Sequence, residues 1–112
     1  MTNEEIIFTI ISEAGNAKSL AFEALREARK GNFKKANEKL KEVNKNFNKA
    51  HDIQTDLITK EANGEKNEVS ILMVHAQDHL TSATLAKDLI KEMIKMQEEI
   101  HKIKKEEKNE QN

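Results

Sequence analysis

The sequence predicts an all-α protein, an antiparallel up-down-up bundle of three helices in one domain. Its 112 residues include no proline and only three glycines, and they are rich in residues that favour helix. Two polar breaks divide the chain, one at Gly31-Asn32 and one at residues 61–67. Because short connections make neighbouring helices antiparallel, we expect the three helices to run up, down and up.

Helix 1 should span about residues 3–30, where apolar and small residues recur at steps of three and four. Gly15 stands inside this helix at a cost of roughly 1 kcal/mol against alanine, and the close approach of a neighbouring helix is the expected reason. The residues predicted to face inward are Ile6, Ile7, Ile10, Ile11, Ala14, Ala17, Ala21, Ala24, Leu25 and Ala28.

Helix 2 should span about residues 33–60 and helix 3 about residues 68–104. Helix 2 has one narrow apolar seam with lysine and asparagine on its other faces. The domain should therefore cover residues 1–105, and the polar residues 106–112 are expected to be disordered. The seam of helix 2 consists of Phe33, Ala36, Leu40, Val43, Phe47, Ala50 and Leu57.

Helix 3 carries two apolar stripes, which lie about 140° apart at 100° per residue. The first can face the core of the bundle. The second is then an exposed strip, and such strips mark association surfaces. The sequence thus predicts an oligomer in which copies of helix 3 pair in parallel around an axis. The first stripe contains Val69, Leu72, Met73, Ala76, Leu80, Ala83, Ile90 and Ile94, and the second contains Ile71, Leu85, Leu89, Met96, Ile100 and Ile103.

Polar residues interrupt the second stripe in the segment VHAQDHL. His75, Asp78 and Ser82 fall on this stripe, and His79 lies at its edge toward the first. A charged aspartate at an interface needs a compensating partner. If copies of Asp78 meet at a symmetry axis, a hard divalent cation such as Mg²⁺ would relieve their repulsion.

Three functions are open for this cluster. His75 and His79 have the spacing of the zinc ligands in H-E-x-x-H, but Ala76 stands where that motif needs its glutamate, so a zinc site without protease chemistry is the form that remains. The cluster can instead be hydrogen-bonded polar residues that fix the register of a helical oligomer or adaptor. Lastly, a neutral imidazole can act as a nucleophile toward phosphorus.

The remaining composition excludes several classes of protein. The net charge is −1 with acids and bases interspersed, which gives no reason to expect nucleic acid binding. With no cysteine, there is no thiol nucleophile and no disulfide framework. The acidic start MTNEEIIFTIISEAG does not resemble a signal peptide, so we expect a cytoplasmic protein. His51 and His101 are expected to face solvent.

Two segments carry a resemblance to a known family. ILMVHAQDHL, residues 71–80, is similar to the signature of the lactose/cellobiose-type enzyme IIA components of the bacterial sugar phosphotransferase system. HDIQTDLITKEANGE, residues 51–65, resembles the segment that leads out of the second helix of that family. Together with the chain length and the glutamate-rich first helix, the resemblance covers nearly all of residues 1–105.

The resemblance implies a homotrimer, a nine-helix bundle, and a phosphotransferase component that works only with partner proteins. His75 would accept a phosphoryl group from the carrier protein HPr and pass it to a cysteine of the IIB component. The membrane component IIC would then move a disaccharide of the lactose, cellobiose or chitobiose type. His79 and Gln77 match polar neighbours of the active histidine. Asp78 matches the metal-binding aspartate, with one Mg²⁺ per trimer on the threefold axis.

Overall fold

The chain folds into three long helices, seen in a computed structural model that describes residues 1–111. α1 spans Asn3–Arg29, α2 spans Phe33–Ala62 and α3 spans Ile71–Gln111. α1 packs closely along both other helices, whereas α2 and α3 make fewer contacts with each other. The bundle is about 68 Å long and 20 Å across.

The direction of each helix follows from the pairs that cross between them. Lys39 contacts Glu23 and Lys49 contacts Glu13, so α2 runs antiparallel to α1. Lys18 of α1 contacts Ser82 of α3, and Gly31 at the far end of α1 lies beside His101. α3 therefore runs parallel to α1, and the predicted up-down-up bundle is confirmed.

The two breaks in the chain are turns that glycine makes possible. Gly31 and Gly64 have φ angles of +87° and +90°, a conformation that costs glycine little and other residues more. At the first turn, the side-chain amide of Asn32 donates to a carboxylate oxygen of Glu27 at 3.0 Å. This hydrogen bond, with a smaller contribution from the positive charge of Lys30, holds the pKa of Glu27 below its ordinary value.

α3 begins at Ile71, three residues later than the sequence predicted. The hydroxyl oxygen of Ser70 accepts a hydrogen bond from the backbone N–H of Met73 at 3.1 Å and so caps the helix. The side chain of Asn67 instead donates to the carbonyl of Leu57 at 3.3 Å and ties the connection to α2. In the sequence, the signal for this start is Ser70, a serine followed directly by the apolar helical pattern.

The core is a stack of alanines on α1 covered by larger residues from α2 and α3. The predicted seam of α2 and most of the first stripe of α3 are confirmed. Val69 and Leu72 are exceptions, at 79% and 62% exposed, because Val69 precedes the helix and Leu72 lies in its exposed first turn. The buried residues include Ile10, Ala14, Ala17, Ala21, Ala24 and Ala28 of α1, Ala36, Val43, Phe47, Ala50 and Leu57 of α2, and Met73, Ala76, Leu80, Ala83, Ile90 and Ile94 of α3.

Two further expectations need correction. Apart from the adjacent backbone of α1, a methyl group added at Gly15 would meet no atom of the described residues within 4 Å, so packing inside the subunit does not explain this glycine. The helix also continues through residues 106–111, where the sequence predicted disorder. Lysine and glutamate, both good helix formers, dominate that segment, and the helix propagates from its packed part. Asn112 lies outside the described residues.

Within residues 1–111, no helix is both long enough and apolar enough to cross a membrane.

Candidate functional site

The second stripe of α3 is an exposed apolar surface, as predicted. Its six residues, defined above, are between 40% and 89% exposed in the single subunit. Phe8 and Phe22 of α1 are also exposed. Phe22 and the α3 residues Leu85, Leu89 and Met93 line one shallow groove of about 240 Å³. The subunit therefore presents an apolar face that a single copy leaves uncovered.

His75 and His79 form a close pair beside this face. They lie one helical turn apart on α3, and their Nε2 atoms are 3.0 Å apart. His75 is exposed and His79 is half-buried. The spacing of four residues is what brings the two rings onto one side of the helix.

The short contact between the rings requires His75 and His79 to have complementary protonation at Nε2. A hydrogen bond between the two Nε2 atoms requires one to carry hydrogen and the other to offer a lone pair. If His79 donates, the Nε2 lone pair of His75 accepts this hydrogen bond, and the proton of the exposed His75 ring is on Nδ1. In this tautomer, His75 can act as a nucleophile once the hydrogen bond to His79 opens.

Asp78 lies within the exposed apolar stripe. Its side chain is exposed in the single subunit. Among the described residues, no three His, Cys, Asp or Glu side chains are grouped closely enough to hold a metal ion. In the described part of one subunit, Asp78 therefore belongs to no group of three such ligands.

Gln77 lies on the opposite flank of α3 from His75. A step of two residues turns a helix by about 200°. The amide of Gln77 reaches Met73 Sδ at 3.6 Å, and the side chain lines a groove of about 240 Å³ with Leu57 and Ile58 of α2. The predicted neighbourhood of Gln77 and His75 is therefore not formed inside one subunit.

Ser82 is hydrogen-bonded to Lys18, a residue that the sequence analysis did not predict to be near the site. Its hydroxyl oxygen accepts a hydrogen bond from the ammonium group of Lys18 on α1 at 3.2 Å. Ser82 lies three residues beyond His79 on α3, about one turn from it. Lys18 brings a positive charge to this side of the site. Its role depends on the register between α1 and α3, which helical periodicity alone does not reveal.

The other two histidines differ in their surroundings. His51 is exposed, as predicted, and its ring stacks on Phe47 with centroids 5.7 Å apart. His101 was expected to face solvent, but it is half-buried. Its ring meets Phe33 edge-on at 5.3 Å and packs against Gly31. His101 therefore closes the end of the bundle and is far along α3 from His75.

The fold and the site define a class of protein, an all-helical subunit that presents a pair of imidazoles beside an uncovered apolar helix face. Residues 5–98 match the family model described as the lactose/cellobiose-specific IIA subunit of the phosphotransferase system. The chain is 47% identical over 97 residues to the lichenan-specific phosphotransferase enzyme IIA component of Bacillus subtilis, covering 87% of this chain and 88% of that protein.

Solved structures give the same result. The cellobiose-specific enzyme IIA from Bacillus anthracis matches with a TM-score of 0.85 and 43% identity, covering 90% of this chain and 94% of that one. The IIA(Chitobiose) of Escherichia coli, solved in complex with HPr, matches with a TM-score of 0.78 and 38% identity, covering 90% and 98%. The chain belongs to the lactose/cellobiose-specific IIA family of the sugar phosphotransferase system.

Proposed function

We propose that this protein is a phosphoryl carrier that accepts a phosphoryl group on His75 from phosphorylated HPr and passes it to a cysteine of a IIB component. The observation that carries the proposal is the pair formed by an exposed His75 and a half-buried His79 with Nε2 atoms 3.0 Å apart. The relative from Escherichia coli that was solved with HPr supports HPr as the donor. The same proposal places the chain in the cytoplasm.

The first transfer begins with the lone pair on Nε2 of His75. This atom attacks phosphorus, a P–N bond forms to His75, and the P–N bond to the donor histidine breaks. The donor ring keeps the proton on its other nitrogen and leaves as neutral imidazole. His79, released from its hydrogen bond to His75, can then donate its Nε2–H to a phosphoryl oxygen.

The second transfer reverses the role of His75. A thiolate of the IIB component attacks phosphorus, an S–P bond forms, and the P–N bond to His75 breaks. His75 leaves as a neutral imidazole with its proton on Nδ1, and Nε2 regains its lone pair. Donor and acceptor approach the same exposed nitrogen, so the two partners compete for one surface.

The subunit should work as a homotrimer. The six exposed residues of the second stripe run along one side of α3, where parallel copies of the helix would bury them around an axis. The family resemblance supports the number three. Burial of the stripe would also put an apolar wall beside His75, and partial exclusion of water would slow hydrolysis of the phosphohistidine.

A threefold arrangement also gives Gln77 a place at the site. Gln77 and His75 lie on opposite flanks of the stripe. In a parallel ring of helices, one flank of each α3 faces the other flank of its neighbour. Gln77 of one subunit would therefore approach His75 of the next, whereas His79 acts within the same subunit.

Asp78 would hold the metal of the trimer. It lies on the stripe that should face the axis, and three carboxylates with water suit a hard cation such as Mg²⁺. Bound there, the cation would offset the repulsion between the three charges. It has no part in the transfer step that we propose.

We expect the choice of sugar to be determined mainly by the IIC component. The relatives reported above are named for lichenan, cellobiose and chitobiose. We therefore propose that the phosphoryl group passes through IIB to a sugar that IIC takes up, and that this sugar is a disaccharide of the lactose, cellobiose or chitobiose type.

One incubation tests the proposal. The chain is treated with phosphoenolpyruvate, enzyme I and HPr, and its intact mass is measured. The proposal predicts the addition of one phosphoryl group that is lost in acid and retained in base. A protein that acts only as a structural oligomer or as a zinc module would gain no such mass.

A further inference from the structure

We propose that His75 and His79 also form a binding site for a divalent transition metal of the Zn²⁺ type, and that metal and phosphoryl group exclude each other. The exclusion rests on the proposed function, whereas the metal site rests on geometry alone. The two Nε2 atoms are 3.0 Å apart. Two nitrogen ligands of a tetrahedral Zn²⁺, at 2.0–2.1 Å from the metal, lie about 3.3 Å from each other.

The pair needs two changes to hold the ion. The separation has to widen by about 0.3 Å to reach the spacing of two zinc ligands. The Nε2 atoms now face each other with the ring planes turned by 89°, so the rings must also rotate until both lone pairs point at the metal. The hydrogen between the two nitrogens moves to Nδ1 of its own ring, so each Nε2 then offers a lone pair to the metal.

The surroundings decide what kind of metal site this is. His75 is exposed, so the ion has direct access from solvent. The described residues hold no cluster of three His, Cys, Asp or Glu side chains. Within one subunit, water would fill the remaining positions, which makes the site open and exchangeable. Imidazole nitrogen selects Zn²⁺, Cu²⁺ or Ni²⁺ over Mg²⁺, which prefers oxygen. This separates the histidine site from a cation at Asp78.

Occupancy of the site would have a direct chemical consequence. The lone pair on Nε2 of His75 that binds the metal is the one that attacks phosphorus. Metal binding therefore removes the nucleophile, and phosphorylation of His75 removes one of the two ligands. By linkage, each must weaken the other by the same factor at equilibrium. The carrier would be held inactive by a free transition metal and released by chelation.

The metal site is tested on the unphosphorylated full chain. ZnCl₂ is titrated while the ring nitrogens of the four histidines are followed by NMR. We expect the Nε2 signals of His75 and His79 to shift together, with His51 and His101 unchanged and MgCl₂ without effect. His79→Ala should weaken zinc binding by at least about tenfold, because removing a ligand lowers metal affinity more than removing a residue that only supports a ligand. His51→Ala is the matched control and should bind as before.

The exclusion is tested with purified phosphorylated HPr, so that enzyme I is absent. ZnCl₂ should block labelling of the wild-type chain, and a chelator should restore it. Equal shifts at all four histidines, or none at His75 and His79, would overturn the metal site even if His75 is labelled normally. Paired zinc shifts in a chain that HPr never labels would keep the metal site and overturn the exclusion together with the proposed function.

Discussion

The imidazole of His75 meets the imidazole of His79 edge-on, with ring centroids 4.5 Å apart. The arrangement is set by one turn of α3 and by the different exposure of the two rings. His79 is partly covered and oriented, whereas His75 is open to a partner. This difference fits the proposed roles, in which His75 is the nucleophile and His79 is a donor that stabilises the phosphoryl group.

Replacement of His79 tests this division of roles. His79→Ala removes one hydrogen-bond donor to the phosphoryl group, and we expect transfer from phosphorylated HPr to slow by about 10²-fold without being abolished. His79→Gln should recover part of the rate, because an amide N–H can donate from a similar position. The initial rate of labelling gives the result, with His51→Ala as a control. Labelling at the wild-type rate in His79→Ala would rule out the donor role.

The proposed trimer depends on the exposed stripe. Leu89 is about half exposed in the single subunit, and Leu89→Lys would place a charge in the predicted interface. We expect this variant to sediment as a monomer at micromolar concentration while its circular dichroism stays helical. Lys45→Ala, on an exposed position of α2, should leave the trimer intact. A wild-type chain that is itself a folded monomer would contradict the assembly.

Replacement of Asp78 tests the proposed metal site separately from the proposed trimer. Asp78→Leu removes the charge from the predicted axis, and an apolar side chain suits that position. We expect a trimer as stable as the wild type or more so, whose thermal unfolding no longer responds to Mg²⁺ or a chelator. A monomeric or misfolded Asp78→Leu protein would count against the axial position of this residue.

Gly15 offers a test of the space around α1. Added bulk meets nothing within 4 Å in the described residues of one subunit. Gly15→Ala should therefore raise the free energy of unfolding by up to about 1 kcal/mol through helix propensity. Thermal unfolding over a range of protein concentrations measures the change. A loss of stability confined to high concentration would instead place another copy of the chain against Gly15.

Lys18 should act through its charge. Its ammonium group is held at Ser82, about one turn from His79. A positive charge there favours the approach of a phosphorylated partner, and salt screens this attraction. Lys18→Met should slow labelling severalfold at low ionic strength and less at high ionic strength, whereas Lys18→Arg should behave like the wild type. Lys34→Met is a matched control on α2. An equal loss at all salt concentrations would disprove a role in attraction.

Much of the fold follows from periodicity. The alanine face of α1, the seam of α2 and the uncovered stripe of α3 were all visible as spacings of three and four residues. The predicted start of α3 is too early because the helical periodicity extends back to Val69. The hydroxyl of Ser70 caps the helix and fixes its N-terminus. Helix propensity in residues 106–111 was underestimated because those residues lack apolar side chains.

The site was predictable only where it depends on a single helix. The pairing of His75 and His79 follows from their spacing, and the structure shows it. The contact between Lys18 and Ser82 and the burial of His101 depend on how helices meet, which spacing on one helix does not determine. The position of Gln77 on the other flank of α3 is predictable, because two residues turn a helix by about 200° from His75.

The most direct measurement compares phosphorylation of His75→Ala with that of the wild-type chain. Both proteins are incubated with phosphoenolpyruvate, enzyme I and HPr, and their masses and circular dichroism are recorded. We expect the wild type to gain one acid-labile phosphoryl group and His75→Ala to gain none while keeping its helical content. An acid-labile phosphoryl group on well-folded His75→Ala protein would contradict the assignment of the nucleophile.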